Sequence, residues 1–262
     1  SSYCNLIPFQ YGATEKELMD GGKFIWPHLF GTDSLGRDYF IRVIYGARVS
    51  LMVGFFAAVI VLIIGTIYGS ISAFAGGKVD MVMMRIVDII YSLPDMVIII
   101  LLSVVLNNVI NFEGTMFEDI GTSLISIFVV YALLYWVGMA RLVRGQVLSI
   151  KQTEYILESR SIGSSRGYVI RKHIIPNALS VIIVSATLQV PSAIFTESFL
   201  SFIGLGVSAP MPSLGSLASD AISSLSNRPY LLLIPALFIC LIVLALNLAG
   251  DGLRDAFDPK QR

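Results

Sequence analysis

The chain has 262 residues, 55% hydrophobic and 14% charged, with 18 basic and 18 acidic side chains and no formal net charge. A mean hydropathy of +0.79 lies outside the soluble range and points to an integral membrane protein. With a pI near 6.7 there is no basic excess to bring in nucleic acid. The two cysteines, Cys4 and Cys240, have neither CxxC spacing nor a nearby histidine pair, so neither a disulfide nor a metal site is expected.

Residues 1 to 48 are mixed and polar. No signal peptide opens the chain and Ser1 stands where a methionine would, so an upstream segment is expected. Thr32 or Asp33 is placed to cap a helix, and Tyr39, Phe40, Val43 and Ile44 at helical spacing predict an interfacial helix or an amphipathic lead-in to the first span. Residues 49 to 74 are uncharged and long enough to cross about 30 Å of hydrocarbon. Within them Gly65 and Gly69 form a GxxxG step, a device for close helix approach that chance also produces in so glycine-rich a chain.

A second span is predicted over residues 82 to 106, broken or kinked at Pro94. The polar stretch from Asn107 to Thr122 carries acids but no lysine or arginine. A third span follows over 123 to 140, a fourth over 177 to 200 interrupted by Pro191, and a fifth over 230 to 250. The glycine- and proline-rich segment between the last two reads as a loop with a short helix. The spans together form one membrane region over 49 to 262. Arg141, Arg144, Lys151, Arg160, Arg166, Arg171 and Lys172 lie between the third and fourth spans, which places that side in the cytoplasm and the N-terminal region outside. Arg37, Arg42 and Arg48 conflict with that assignment, offset in part by Asp33 and Asp38.

The longest polar insertion, 151 to 176, organises the rest. Residues 155 to 162 favour a short helix, Gly163 can take the left-handed conformation that ends one, Ser164 or Ser165 can cap the next, and Pro176 suits the first turn of a following span. A helix of about nine residues is roughly 13 Å long, too short to be stable alone, and needs a groove to lie in. Ile156, Ser159 and Gly163 share a face that admits close approach, and Glu158 and Arg160 can pair with a partner's charges.

The stretch from Tyr155 to Gly163, followed after nine residues by His173-Ile-Ile-Pro176-Asn177, resembles the EAA loop of ABC-importer permeases of the oligopeptide, dipeptide and nickel group. In the same order come Leu29-Phe-Gly-Thr-Asp-Ser-Leu-Gly-Arg-Asp38, Tyr45-Gly-Ala-Arg48, Arg85-Ile-Val-Asp88 with Leu93-Pro94, Thr196 to Gly206, and Asn247 to Asp255. The resemblance runs from Leu29 onward and is to the C-type permease. Leu157 stands where the motif has its leading glutamate, with Glu158 one place later, and the family's N-terminal span is absent.

The resemblance implies an all-α, polytopic transmembrane helical bundle of the type I ABC-importer permease fold (MetI-like), in a bacterial cytoplasmic membrane. It implies a homologous second permease, two ABC ATPases docked on Tyr155, Ile156, Glu158, Ser159, Arg160 and Gly163, and an extracytoplasmic binding protein. Substrates would be di- and oligopeptides, with nickel complexes as the alternative, and both histidines lie outside the spans. ATP and magnesium would sit on the ATPases, with no cofactor on this chain.

Catalytic motifs are missing. Gly76-Gly77-Lys78 is a failed Walker A, since Ser72 stands at its first glycine and Val79 at its metal-binding hydroxyl; HExxH does not occur. The intramembrane acids must face protein or water. Asp88 is expected to pair with Arg85 one turn earlier; Asp95 and Glu197, with Gln189 beside Pro191, are placed either to line and gate a pathway or to make structural hydrogen bonds. An intramembrane aspartyl protease using Asp88 and Asp95 is disfavoured, because seven residues of unbroken helix separate the acids by about 10 Å and no GxGD follows. A secondary transporter would call for inverted repeats, and none is found.

Overall fold

A computed structural model of the chain describes residues 29–33, 36–109, 122–207 and 211–257. The first helix, α1 (Tyr39–Ala75), is continuous through the expected boundary at residue 48, so the lead-in and the first span are one element. Its cap is Asp38, whose carboxylate accepts the Ile41 N–H at 3.1 Å. Asp33 instead closes the preceding turn, accepting the Arg37 backbone N–H at 2.9 Å.

The second span is α2 (Gly77–Tyr91) and α3 (Asp95–Val109), which bend by 86° at the break. Pro94 lies in that break, where its ring and missing N–H prevent α2 from continuing. The third span, α4 (Thr122–Val130), passes through a π turn (Tyr131–Tyr135) into α5 (Trp136–Lys151) and so extends well past the expected end at residue 140. Arg141, Arg144 and Lys151 are therefore helical rather than in a loop. Helix α6 (Glu154–Ser161) and the single turn α7 (Arg166–Val169) lead through a second π turn (Ile170–Ile174) into α8 (Ile175–Phe202). Pro191 sits inside α8 without ending it, contrary to the predicted interruption. Then come α9 (Leu214–Ala221) and α10 (Tyr230–Phe257). Among the described residues four helices are long and apolar enough to cross a membrane, and five spans result if α2 and α3 count as one.

The chain divides into two compact units. The first takes residues up to 52 together with 194–242. Its core joins Tyr39, Val43, Leu214, Leu217, Ala221 and Leu231, and the Tyr39 hydroxyl donates to the Leu231 carbonyl. Helix α9 is held there by a capping box between Ser213 and Ser216. Asp33 binds Arg42 at 2.7 Å, and Arg42 reaches Asp220 at 3.5 Å, so two of the three conflicting N-terminal arginines, Arg37 and Arg42, already have carboxylate partners.

The second unit takes residues 53–193 and 243 onward. Val87, Trp136, Val137 and Ala140 form a buried cluster with Ile64 and Tyr68 packed on it. Gly65 and Gly69 face α5 so closely that a Cβ on either would meet Met139 or the Ala140 carbonyl, so the GxxxG step is a true helix crossing. Arg144 grips Asp80 through two nitrogens at 2.6 and 2.5 Å, and Lys151 caps α1 by donating to the Ala73 carbonyl at 3.1 Å. These bonds give charged side chains partners along the extension of α5, which is why the helix outruns its apolar segment.

Candidate functional site

Helix α6 begins one residue before the expected start and ends at Ser161. Gly163 follows at φ +91°, a conformation that only glycine adopts without strain, and a Cβ there would meet nothing within 4 Å. Ser165 then accepts the Tyr168 N–H at 3.3 Å, which settles the choice of cap for the next turn. The Ser159 and Ser164 hydroxyls bond at 3.0 Å across the glycine turn and fix its angle. On the far side, the Asn177 amide donates to the Tyr155 hydroxyl at 3.1 Å and to the His173 carbonyl at 2.7 Å, while the Tyr155 and His173 rings lie edge to face. The two ends of the polar motif are thus one folded element.

One predicted docking residue is displaced. Ile156 is fully buried, as are Val169 and Ile174, so it anchors α6 to its own chain rather than meeting a partner. The physical reason is the shortness of the helix: with eight residues it needs a buried aliphatic side chain for attachment. The outward groups are Glu158, Tyr155 and Ile162, the last 87% exposed. Ile162, expected as the last residue of the helix and not as a docking group, instead lies just beyond it at the turn to Gly163. The Arg160 side chain lies outside the described residues.

The intramembrane groups separate into three kinds. Asp88 binds Arg141 at 2.7 Å, not Arg85. The expected one-turn pair is replaced by a bridge from α2 to α5, made possible by the helical extension that carries Arg141, whose guanidinium also stacks 4.1 Å from the Tyr91 ring centroid. Glu197 has no exposed surface and makes the structural bonds that were one of its two expected roles. One oxygen accepts Ser201 at 2.7 Å; the other accepts Ser50 at 2.7 Å and Ser198 at 3.3 Å. Ser201 in turn accepts the Val207 N–H at 2.9 Å, and Ser50 the Leu214 N–H at 3.4 Å. A pathway-lining or gating role for Glu197 is not what this arrangement offers. Of the predicted pathway residues, Gln189 lines a cavity of about 450 Å³ in the second unit. The backbone of Asp95 opens α3, and its side chain lies outside the described residues.

The chain can thus present a folded external element and a cavity whose described lining is apolar, aromatic and amide. Among the described residues no cluster of three or more His, Cys, Asp or Glu is arranged to bind a metal ion.

Residues 65–262 match the family model for the inner membrane component of binding-protein-dependent transport systems. The chain is 48% identical over 235 residues to the oligopeptide transport system permease protein OppC of Bacillus subtilis, covering 90% of this chain and 72% of that one. It is also 48% identical to the dipeptide transport system permease protein DppC of the same organism, covering 90% and 69%. To OppC of Escherichia coli K12 it is 45% identical, covering 98% and 81%. A chain of the MetNI methionine ABC transporter in an inward-facing conformation aligns at TM-score 0.64 with 19% identity, covering 83% of this chain and 96% of that one, a likeness of fold. An amino acid ABC transporter crystallised with histidines aligns at 0.61 with 16% identity, covering 84% and 95%. A helical membrane architecture, the motif-bearing loop folded as one element, and a family match over most of the chain converge: this chain belongs to the inner membrane components of binding-protein-dependent transport systems.

Proposed function

We propose that the chain is the permease subunit of an ATP-driven importer that moves di- and oligopeptides delivered by an extracytoplasmic binding protein. The observation that carries this is the 48% identity to two peptide permeases over nine-tenths of the chain. The geometry of α6 fits the same role. A short helix bolted to its own chain through Ile156 and the Tyr155–Asn177 bond, with Glu158 and Ile162 outward, can transmit a push or pull without deforming. Its outer face would dock one of two ABC ATPases through Tyr155, Glu158, Ser159, Arg160, Ile162 and the Gly163 turn. ATP and magnesium would be held on those ATPases, this chain being non-catalytic and free of cofactor. A homologous second permease would complete the path, and closure of the ATPases would rock the two permeases between inward- and outward-open states. Asp95 and Gln189 are the candidates to line that path.

The test is uptake by the complete complex in liposomes. ATP-dependent accumulation of peptide is expected; accumulation without ATP, or of nickel complexes but not peptides, would refute the proposal. Gly163→Val forces a β-branched residue into positive φ at a cost of about 1–2 kcal/mol, enough to shift docking by roughly five- to thirtyfold. Uptake and ATPase stimulation should fall together while membrane insertion is unchanged, and wild-type coupling in this variant would remove α6 from the docking role.

A further inference from the structure

The cavity that holds Gln189 lies beside the break between α2 and α3 and the π turn before α5, with the continuous α8 completing it. Tyr91 and Leu93 come from the break between α2 and α3, Tyr135 from the π turn, Gly138 from the first turns of α5, and Gln189 from α8 two residues before Pro191. All three places are central. Gln189 is the middle residue of the span Pro176–Phe202, Val137 and Gly138 straddle the middle of Leu124–Lys151, and the break divides α2 from α3 near the centre of the bent pair. Interrupted helices at mid-span are where transporters form substrate contacts, and π turns gather at functional sites.

The lining is as informative as the position. Among the described residues its polar groups are the Gln189 carboxamide and the Tyr91 and Tyr135 phenols. A nearby charge, Arg141, is used elsewhere, stacking on the Tyr91 ring and binding Asp88 at 2.7 Å. The π turn is itself held in place: the Tyr131 hydroxyl donates to the Ala193 carbonyl at 3.0 Å and the Trp136 indole to the Leu133 carbonyl at 3.1 Å. Among the described residues no hydrogen bond engages the Gln189 amide. A carboxamide offers donors and acceptors together, which is the complement of a backbone peptide unit, and aromatic faces flank an amide whatever side chain follows it.

We propose that this cavity is a mid-membrane subsite for one uncharged peptide unit of the passing substrate, with Gln189 pairing to its backbone N–H and C=O and Tyr91 and Tyr135 flanking it. The proposal rests on the peptide reading above and adds to it where, and by what chemistry, this chain touches the substrate. Its volume of about 450 Å³ suits such a unit, falling within the roughly 300–1,000 Å³ usual for small-ligand pockets.

The experiment uses the complete complex, with ATPases and binding protein, in liposomes, and compares trialanine with its analogue methylated on the backbone nitrogen of the second residue. Gln189→Leu should lower the maximal rate for trialanine about two- to tenfold, the value of one lost hydrogen bond. The apparent KM should hardly move, and the rate for the methylated analogue, which keeps only the C=O contact, should fall less. Gly138→Leu tests the space without the hydrogen bond: a Cβ there meets nothing within 4 Å, so the protein should fold while the larger side chain fills the cavity and slows both peptides. In a background without Cys4 and Cys240, Gln189→Cys should react with a small thiol reagent more slowly when trialanine and ATP are present. Trialanine transport with labelling indifferent to peptide, or Gln189→Leu slowing both peptides equally, would overturn the subsite alone. Failure of the wild type to transport either peptide would overturn the peptide reading and the subsite with it.

Discussion

Glu197 shows what a buried carboxyl does when only hydroxyls surround it. Its two oxygens reach two backbone N–H groups through serine relays, one ending at Val207 and one at Leu214. Glu197→Ala removes both relays and leaves a void, which should cost about 2–5 kcal/mol. Glu197→Gln keeps an oxygen for one relay but turns an amide toward the other serine, whose hydroxyl already accepts a backbone N–H, so it should fall midway. Thermal unfolding of the purified protein in detergent gives the order; a wild-type midpoint for Glu197→Gln would mean that the side chain only fills space. That an acid at this place must be satisfied was legible from its position in an apolar run. Which partners satisfy it was not, because Ser50 lies 147 residues earlier. For Ile156 the residue type was legible and its direction was not: a helix this short has one attachment face, and helical spacing alone does not say which.

Among the helices, the clearest prediction concerns the crossing of α1 and α5. Gly65 and Gly69 bring the α1 backbone against Met139 and Ala140. Gly69→Leu cannot be absorbed by a side-chain shift, because its Cβ would meet the Ala140 carbonyl. Overpacking of this kind costs about 1–3 kcal/mol or more, and should appear as lower detergent-extracted yield and a lower unfolding midpoint. An unchanged midpoint would show that the crossing is looser than described. The bend at Pro94 and the turn at Gly163 were readable because proline and glycine act locally, through a missing N–H and a permitted φ. The π turn at Tyr131–Tyr135 was not, for it follows from tertiary bonds such as that of Tyr131 to Ala193. Pro191 was misread for a related reason: a proline in a long helix packed by neighbours can be accommodated where an isolated one would break it.

For the molecule as a whole, the number of spans and their order could be taken from hydropathy, and four helices plus one bent pair fulfil that count. Sidedness is a separate matter, resting on the basic residues around α6. Two of the three N-terminal arginines that opposed it, Arg37 and Arg42, are engaged by Asp33 and Asp220, which weakens their claim to face the cytoplasm. Single cysteines at Ser161 and at Thr115, the latter outside the described residues, should therefore react with an impermeant maleimide from opposite sides of the membrane. Labelling of both in intact cells would reverse the topology and with it the assignment of α6 to the ATPases.

The first unit draws on two stretches far apart in the chain, and the hydrogen bond from Tyr39 to Leu231 spans 192 residues. During synthesis, the beginning of α1 therefore enters the membrane long before the groups that satisfy its polar atoms exist. Ser50 must wait for Glu197, and Tyr39 for Leu231, while most of the second unit is translated in between. A nascent chain halted before α8 would carry these hydroxyls uncovered in lipid, a state that quality-control proteases and insertion chaperones can recognise. Biogenesis of such a permease is thus governed less by the hydropathy of its first helix than by the time needed to complete its last.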